Sequence, residues 1–261
     1  MRNLCNVGRI FYGIAIAGIG FLAIYYKDFP YMLIPPNHSM IPGLVMFAYI
    51  FGTILILGGG STVFEKRTRT ICLVLGNMLL IIFCFYYIPY QFMTNSNYMH
   101  LVEWENAEKE LALAGGAFII AGSVSEKNDN LLNRFLSRLI SFGVVLFSMP
   151  MISFGILHFL YTKDASTLVP AWVPNPIFWT YLAGVALIGS GVAIILKIKR
   201  GLIAALLGTM IFIWFIILHI PRVMVSTAAD KGDEITSALL ALAYSGIALV
   251  IAAMKTECTS E

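Results

Sequence analysis

The chain has 261 residues, of which 59% are hydrophobic and only 12% are charged. A soluble globular domain has about 25% charged residues, so this composition excludes a soluble protein and predicts an integral membrane protein. The formal net charge is only +3. In membrane proteins an excess of basic residues arises from the topology, so this positive charge does not indicate nucleic acid as a partner.

Eight apolar stretches are each long enough to cross a bilayer, since a spanning helix needs about 20 mostly apolar residues. Backbone groups in hydrocarbon must be satisfied within the segment, so these stretches are predicted to be helices. The first follows Arg2 and Arg9 but lacks an Ala-x-Ala-like cleavage site, and we interpret it as a retained helix rather than a signal peptide. The predicted spans are about residues 9–26, 44–63, 69–89, 107–124, 137–160, 177–196, 201–220 and 235–254.

The lysines and arginines are distributed unevenly between the predicted connections. If the N-terminus is inside, twelve of them lie on the inner side and five on the outer side. Inner connections of membrane proteins carry the excess of basic residues. Both termini are therefore predicted to be cytoplasmic.

The second half of the chain repeats the first. When the two halves are aligned, Ile88-Pro89 falls on Ile220-Pro221, and Glu103 falls on Glu234. Self-similarity between two such long stretches indicates two copies of one structural unit. Each copy has an even number of spans, so both copies enter the membrane from the same side and the repeats are parallel.

The predicted fold is an all-α integral membrane protein with eight transmembrane helices, arranged as two tandem, parallel-repeat four-helix bundles with both termini inside. The long connections all fall on the outer side, and long connections in compact folds are commonly functional. A functional site is therefore expected on the outer face. The predicted units are a first four-helix repeat (1–124), a cytoplasmic linker (125–136) and a second four-helix repeat (137–261).

All four histidines fall on the predicted outer side, and His158 and His219 end two helices of the second half at similar depth. Two facing imidazoles can position a quinone carbonyl or hold haem iron; alternatively, each is an amphipathic residue at the membrane interface. Haem is not expected, because there is no second histidine pair and the first half has Tyr87 at the position of His219. No metal site is predicted, and the cysteines form no Cys-x-x-Cys pair, which argues against thiol–disulfide chemistry.

Charged residues gather at the outer ends of the predicted fourth and eighth helices. Glu103 and Glu234 are repeat equivalents, and Arg222 is placed to face Glu234. Carboxylates in the first turn also stabilise a helix through its dipole by about 0.3–1 kcal/mol, so capping is the alternative role. In the first repeat, Glu103, Trp104 and Lys109 are secondary candidates for a site.

Several stretches of the second half resemble the DoxX family of small four-helix bacterial membrane proteins. The first half is similar in Glu103-Trp104 and in the stretch 109–117, but it lacks the histidine of the first helix, the loop tryptophan and the Trp-x-Tyr pair. The resembling stretches are Gly155-Ile156-Leu157-His158-Phe159, Val169-Pro170-Ala171-Trp172-Val173-Pro174, Phe178-Trp179-Thr180-Tyr181-Leu182-Ala183-Gly184 and His219-Ile220-Pro221.

The resemblance implies a four-helix bundle per half in the bacterial inner (plasma) membrane. It also implies a link to membrane oxidoreductases, because relatives include a subunit of a thiosulfate:quinone oxidoreductase. The resulting hypothesis is an accessory or quinone-interacting subunit of a redox system, surrounded by the lipid bilayer and partnered by another membrane or redox subunit. A non-catalytic scaffold or assembly partner, and a bundle that binds or transports a small molecule or lipid, are the alternatives. The candidate pocket on the outer face of the second repeat comprises His158, Trp172, Trp179, Tyr181, His219, Arg222 and Glu234.

Overall fold

The computed structural model describes residues 2–31, 43–64, 67–124 and 131–254. These residues form helices, turns and short connections, with no strand among them. His38 and residues 125–130, half of the predicted linker 125–136, lie outside the described residues. The long helices are α1 (Arg2–Tyr26), α2 (Leu44–Val63), α3 (Thr68–Thr94), α4 (Glu105–Ser123), α5 (Arg134–Leu160), α6 (Pro176–Ile195), α7 (Arg200–Val225) and α8 (Lys231–Ala253).

Seven of these helices, all except α4, are long and apolar enough to cross a membrane. Helix α4 forms where the fourth span is predicted, but four of its first six residues are charged. Every residue from Ala112 to Ala121 is buried within the protein. The structure therefore supports seven of the eight predicted spans. The remaining helix, α4, is enclosed among the other helices.

Helices α4 and α8 lie at the centre of the described structure and contact each other. Helix α1 packs along α8 and α2, and helix α5 packs along α4 and α6. Helix α3 lies on α4, and helix α7 lies on α8. The first helix of each predicted unit thus packs on the last helix of the other unit. The helices of the two predicted units therefore pack in one bundle, and not only against helices of their own unit.

Glycine allows these helices from different units to approach closely. A Cβ atom added to Gly246 of α8 would lie 2.5 Å from the carbonyl oxygen of Gly8 on α1. A Cβ atom added to Gly115 of α4 would lie 2.8 Å from the carbonyl oxygen of Gly143 on α5. Small residues at helix contacts permit such backbone-to-backbone packing in membranes, and here they determine which helices become neighbours.

The starts of α2 and α3 recur in the second half of the chain as the starts of α6 and α7. The interval is the one by which the sequence repeats, and it separates Pro89 from Pro221. Helix α2 is preceded by Gly43 and α6 by Asn175, and both residues have left-handed backbone conformations. Helix α3 is preceded by Arg67 and α7 by Lys199, which are separated by the same interval and are also left-handed. Left-handed residues other than glycine are uncommon, so the shared conformation reflects a shared connection geometry.

A wide helical turn also recurs in α3 and α7. Residues Phe83–Tyr87 form a π-helical turn just before Pro89, and residues Phe215–His219 form one just before Pro221. A proline within a helix removes one N–H donor and clashes with the preceding turn of backbone. The π-helical turn widens the backbone at this point and allows the helix to continue past the proline.

Large apolar side chains are also exposed on the outer faces of the helices. Leu57, Phe85 and Met149 are examples from three different helices, and each is more than half exposed. An apolar outer surface of this extent is unfavourable in water and suits contact with lipid chains. The protein is thus an all-helical membrane protein, as the composition predicts.

Candidate functional site

A cavity of about 660 Å³ opens at the end of the bundle where α5 and α7 end and α6 and α8 begin. Its wall comes from the first turns of α4 as well as from α5, α6, α7 and α8. It extends along α5 from His158 to Met151, a depth of about 10 Å at 1.5 Å per helical residue. The deeper wall is mainly apolar and aromatic, and includes Met151, Phe154, Met210, Trp214 and Tyr244.

Three residues of the predicted second-repeat pocket line this cavity: His158, Trp179 and His219. The indole N–H of Trp179 donates to the carbonyl oxygen of Pro174 at 3.0 Å. Its ring meets the Trp214 ring edge-on, with 6.4 Å between the centroids. The loop before α6 therefore holds one aromatic wall of the cavity in place.

His158 presents one ring nitrogen to its own helix. Its Nδ1 lies 2.7 Å from the carbonyl oxygen of Phe154, and because a carbonyl oxygen only accepts, Nδ1 must carry the proton. In the neutral ring, Nε2 is then the nitrogen with the free lone pair. This bond orients the imidazole and leaves Nε2 as its remaining polar atom.

His219 is the least satisfied polar group of the cavity wall. It is the last residue of the π-helical turn of α7, and its Nδ1 is buried with no hydrogen-bond partner among the described residues. The charged side chains of Lys109, Arg222 and Glu234 lie near enough to act on it electrostatically. A buried polar atom without a partner costs about 1–3 kcal/mol, so a ligand atom that hydrogen-bonds to this ring would recover stability.

The first repeat also contributes to the cavity, through Glu105 and Lys109 of α4. The Nζ of Lys109 lies 2.7 Å from Oε1 of Glu105 and 3.1 Å from Oδ1 of Asn106. It also lies over the ring of Tyr31, 5.3 Å from the centroid. The cavity thus lies between the two predicted units, because α4 packs against α5 and α8, and is not confined to the second repeat.

Arg222 and Glu234 form an ion pair beside the cavity without lining it. The Nε of Arg222 donates to Oε2 of Glu234 at 2.9 Å, and its Nη2 donates to Oε1. The pair ties the end of α7 to the first turn of α8. Its geometry supports a bracing role, since both carboxylate oxygens of Glu234 accept from the guanidinium of Arg222.

In the first repeat, the secondary candidates Glu103 and Trp104 do not line the cavity, although Val102 and Glu105 on either side of them do. The side chain of Asn95 donates to Oε2 of Glu103 at 2.8 Å, and Gln91 donates to its backbone carbonyl. The indole N–H of Trp104 donates to the carbonyl oxygen of Tyr98 at 2.8 Å. These contacts brace the connection between α3 and α4, as the Arg222–Glu234 pair braces the one between α7 and α8.

Trp172 and Tyr181 are also placed outside the cavity. Trp172 is 68% exposed. Tyr181 packs its ring against Phe159, with 5.4 Å between the centroids. Both side chains lie on the outer surface near the ends of helices, where aromatic residues suit the membrane–water interface.

The described residues contain no group of three or more His, Cys, Asp or Glu side chains that could hold a metal ion. The polar groups of the cavity are instead suited to hydrogen bonding. Asp164, from the short helix Thr162–Thr167, adds a carboxylate to the same wall. The arrangement can enclose a mainly apolar molecule and bind one polar end of it.

The sequence analysis did not identify Asp164, Glu105, Trp214 or Tyr244 as residues of one site. The spacing of Glu105 and Lys109, four residues apart at a helix start, is a signal that could have paired them. Trp214 and Tyr244 lie inside apolar stretches, where nothing in the sequence distinguishes a cavity wall from an ordinary core residue.

A comparison with protein-family models matches residues 147–256 to a domain of unknown function, DUF8561. The match begins within α5 and continues past the end of α8, and it covers fewer than half of the residues. No curated protein and no solved structure matches the chain.

Proposed function

We propose that the protein binds a quinone-type ligand in the cavity lined by helices α4 to α8. Such a ligand is a flat ring that carries carbonyl groups and is attached to an apolar tail. The observation that carries the proposal is the combination of a mainly apolar wall with two imidazoles at one end. Ligand sites are commonly concave and apolar, with a few polar groups that fix orientation. His158 and His219 both line the cavity, and their rings are the polar groups that would fix the orientation of such a ligand.

This proposal extends to the cellular role that the DoxX resemblance implies. The protein would be an accessory or quinone-interacting subunit of a redox system in the bacterial inner membrane. The site would lie at the outer end of the bundle, as the distribution of basic residues predicts. The ligand would enter from the lipid, since the apolar tail of a quinone partitions into the bilayer.

We also infer that the chain is a tandem duplication with parallel halves. The recurrence of the left-handed residues before α2 and α6, and of the π-helical turns in α3 and α7, supports this inference. So does the matched packing, in which α1 lies on α8 and α5 lies on α4. In this account the halves are related by rotation about the membrane normal, with both termini inside.

The experiment that tests ligand binding is thermal unfolding of the purified protein in detergent. A short-chain quinone should raise the unfolding temperature, and raise it further as the quinone concentration increases, because a ligand that binds only the folded state stabilises it. The matching hydrocarbon without carbonyl groups is the control and should stabilise less. Equal stabilisation by both would assign the cavity to lipid chains, and no stabilisation by either would favour the scaffold alternative.

A further inference from the structure

A second polar feature lies away from the cavity, on α4. Glu110 is completely buried, and neither of its carboxylate oxygens has a hydrogen-bond partner in the described part of the chain. It does not line the cavity. The ammonium group of the adjacent Lys109 is bound by Glu105 and Asn106, so it is not directed at Glu110. This carboxyl group is therefore enclosed without a counter-charge from its neighbour.

Glu110 lies beside the π-helical turn of α3. The titratable side chains on which it acts electrostatically are Cys84 and Tyr87, both in that turn. The hydroxyl of Tyr87 donates instead to the carbonyl oxygen of Tyr31 at 2.9 Å. Within the turn, the N–H of Ile88 bonds to the carbonyl of Phe83. The next residue is a proline without an N–H, so one carbonyl of this turn loses its helical donor.

The equivalent position of the second predicted unit carries no carboxyl group. In the alignment that places Glu103 on Glu234, Glu110 falls on Ala241 of α8. The glutamate of α4 carries a desolvation cost that the alanine does not, and this points to a role in which its proton matters.

The physical chemistry of burial indicates the state of this group. Moving an ionised carboxylate from water to an apolar interior without a partner has a large unfavourable free energy, because no interaction there replaces its hydration. Such a group stays protonated instead. We propose that Glu110 is a proton-binding site that holds its proton inside the bundle at neutral pH, beside the wide turn of α3. The proposal is independent of which ligand the cavity binds.

Infrared spectroscopy of the reconstituted protein tests this directly. The difference spectrum between the wild type and Glu110→Gln at neutral pH should contain the C=O band of a protonated carboxyl group, and the band should shift in deuterated water. Glu105→Gln is the matched control on the same helix, because Glu105 is partly exposed and paired with Lys109, and this variant should lose no such band. If Glu110→Gln also loses none, Glu110 is ionised and the proposal fails.

A second measurement distinguishes a proton from a sodium ion as the occupant. A hydrophobic carbodiimide reacts with protonated carboxyl groups in apolar sites, and peptide mass spectrometry locates the adduct. We expect an adduct at Glu110 that decreases as pH is raised and is equal in sodium and choline buffers. Protection by sodium alone would show that a metal ion occupies the site, and would overturn the assignment to a proton.

Discussion

The two histidines of the cavity differ in how their ring nitrogens are satisfied. His158 donates from Nδ1 to the carbonyl oxygen of Phe154, whereas Nδ1 of His219 has no partner among the described residues. A ligand that bonds to His158 replaces water at Nε2. Nδ1 of His219 is already desolvated, so a ligand atom that reaches it when the ring turns toward the cavity should contribute more to affinity than the contact with His158.

His219→Ala should therefore weaken quinone binding by about 1–3 kcal/mol, the cost of one lost buried hydrogen bond. His158→Ala should weaken it in the same direction. His100→Ala is the control, because His100 is exposed in the loop before α4 and does not line the cavity. Titration of a quinone analogue against each variant measures the effect. Equal affinities for all three variants would make the histidines interface residues only.

The ion pair between Arg222 and Glu234 should be needed for stability rather than for binding. Arg222→Leu leaves a largely buried carboxylate without its partner, and we expect a loss of about 1–3 kcal/mol in the free energy of unfolding. Removing both charges with Arg222→Leu and Glu234→Leu should recover part of the loss, because no unpaired charge remains. Thermal unfolding of the two single variants and the double variant measures the coupling. Additive losses would show that the pair contributes nothing.

Individual site residues could be predicted only where a charged or aromatic residue occurs near the end of an apolar stretch. The contact between Arg222 and Glu234 follows from two opposite charges at adjacent helix ends. Trp172 also stands out in the sequence, yet it is exposed, because an aromatic residue in a loop suits the membrane interface as well as a pocket. Lys109 could not be assigned to the cavity without knowing that α4 packs beside α5.

At the scale of single helices, apolar length predicts the elements well. The predicted spans 44–63 and 177–196 differ from α2 and α6 by at most one residue at each end. The π-helical turns were not predicted, although Pro89 and Pro221 mark where they occur. Hydropathy reports the length of a helix, whereas a local widening depends on how the backbone accommodates a proline.

The packing of α6 on α5 provides a test with an internal control. A Cβ atom at Gly191 would lie 2.6 Å from Cγ1 of Ile152 and 2.8 Å from the carbonyl oxygen of Ser148. At Gly189, on the same helix, a Cβ atom would meet nothing within 4 Å. Gly191→Ala should therefore destabilise the protein by about 1–3 kcal/mol through overpacking.

Gly189→Ala should be neutral or stabilising by up to about 1 kcal/mol, because alanine is the better helix former. The unfolding temperatures of the two variants in the same detergent measure the difference. If both substitutions had the same effect, α5 and α6 would not be in close contact at Gly191, and the packing of α6 on α5 would need revision.

For the whole molecule, the sequence predicts the membrane environment and the repeat, but not the way in which the two sets of helices interleave. Which helices become neighbours depends on close contacts such as those of Gly8 with Gly246 and of Gly115 with Gly143. Glycines of this kind occur in many of the helices, and the sequence does not state which glycine meets which. The location of the cavity between the units follows from this pairing, so Lys109, predicted as a secondary candidate in the first repeat, could not be placed in one site with His158 and His219.

The proposed orientation can be tested in intact cells. Asn97 and Ala229 lie in exposed connections after α3 and after α7, and both are predicted to be outside because the basic residues favour the opposite face. Single cysteines at these positions, in a variant without the native cysteines, should react with a membrane-impermeant reagent before lysis. Reaction only after lysis would reverse the orientation of the whole protein.

Photoaffinity labelling can show whether a quinone occupies the cavity lined by helices α4 to α8. A photoreactive quinone is bound to the protein in membranes, and the adducts are located by peptide mass spectrometry with and without excess unlabelled quinone. The account predicts adducts on cavity residues such as Phe154, Trp179 and Trp214, all suppressed by the competitor. Adducts confined to outward-facing residues such as Leu57 and Met149, or unaffected by the competitor, would contradict it.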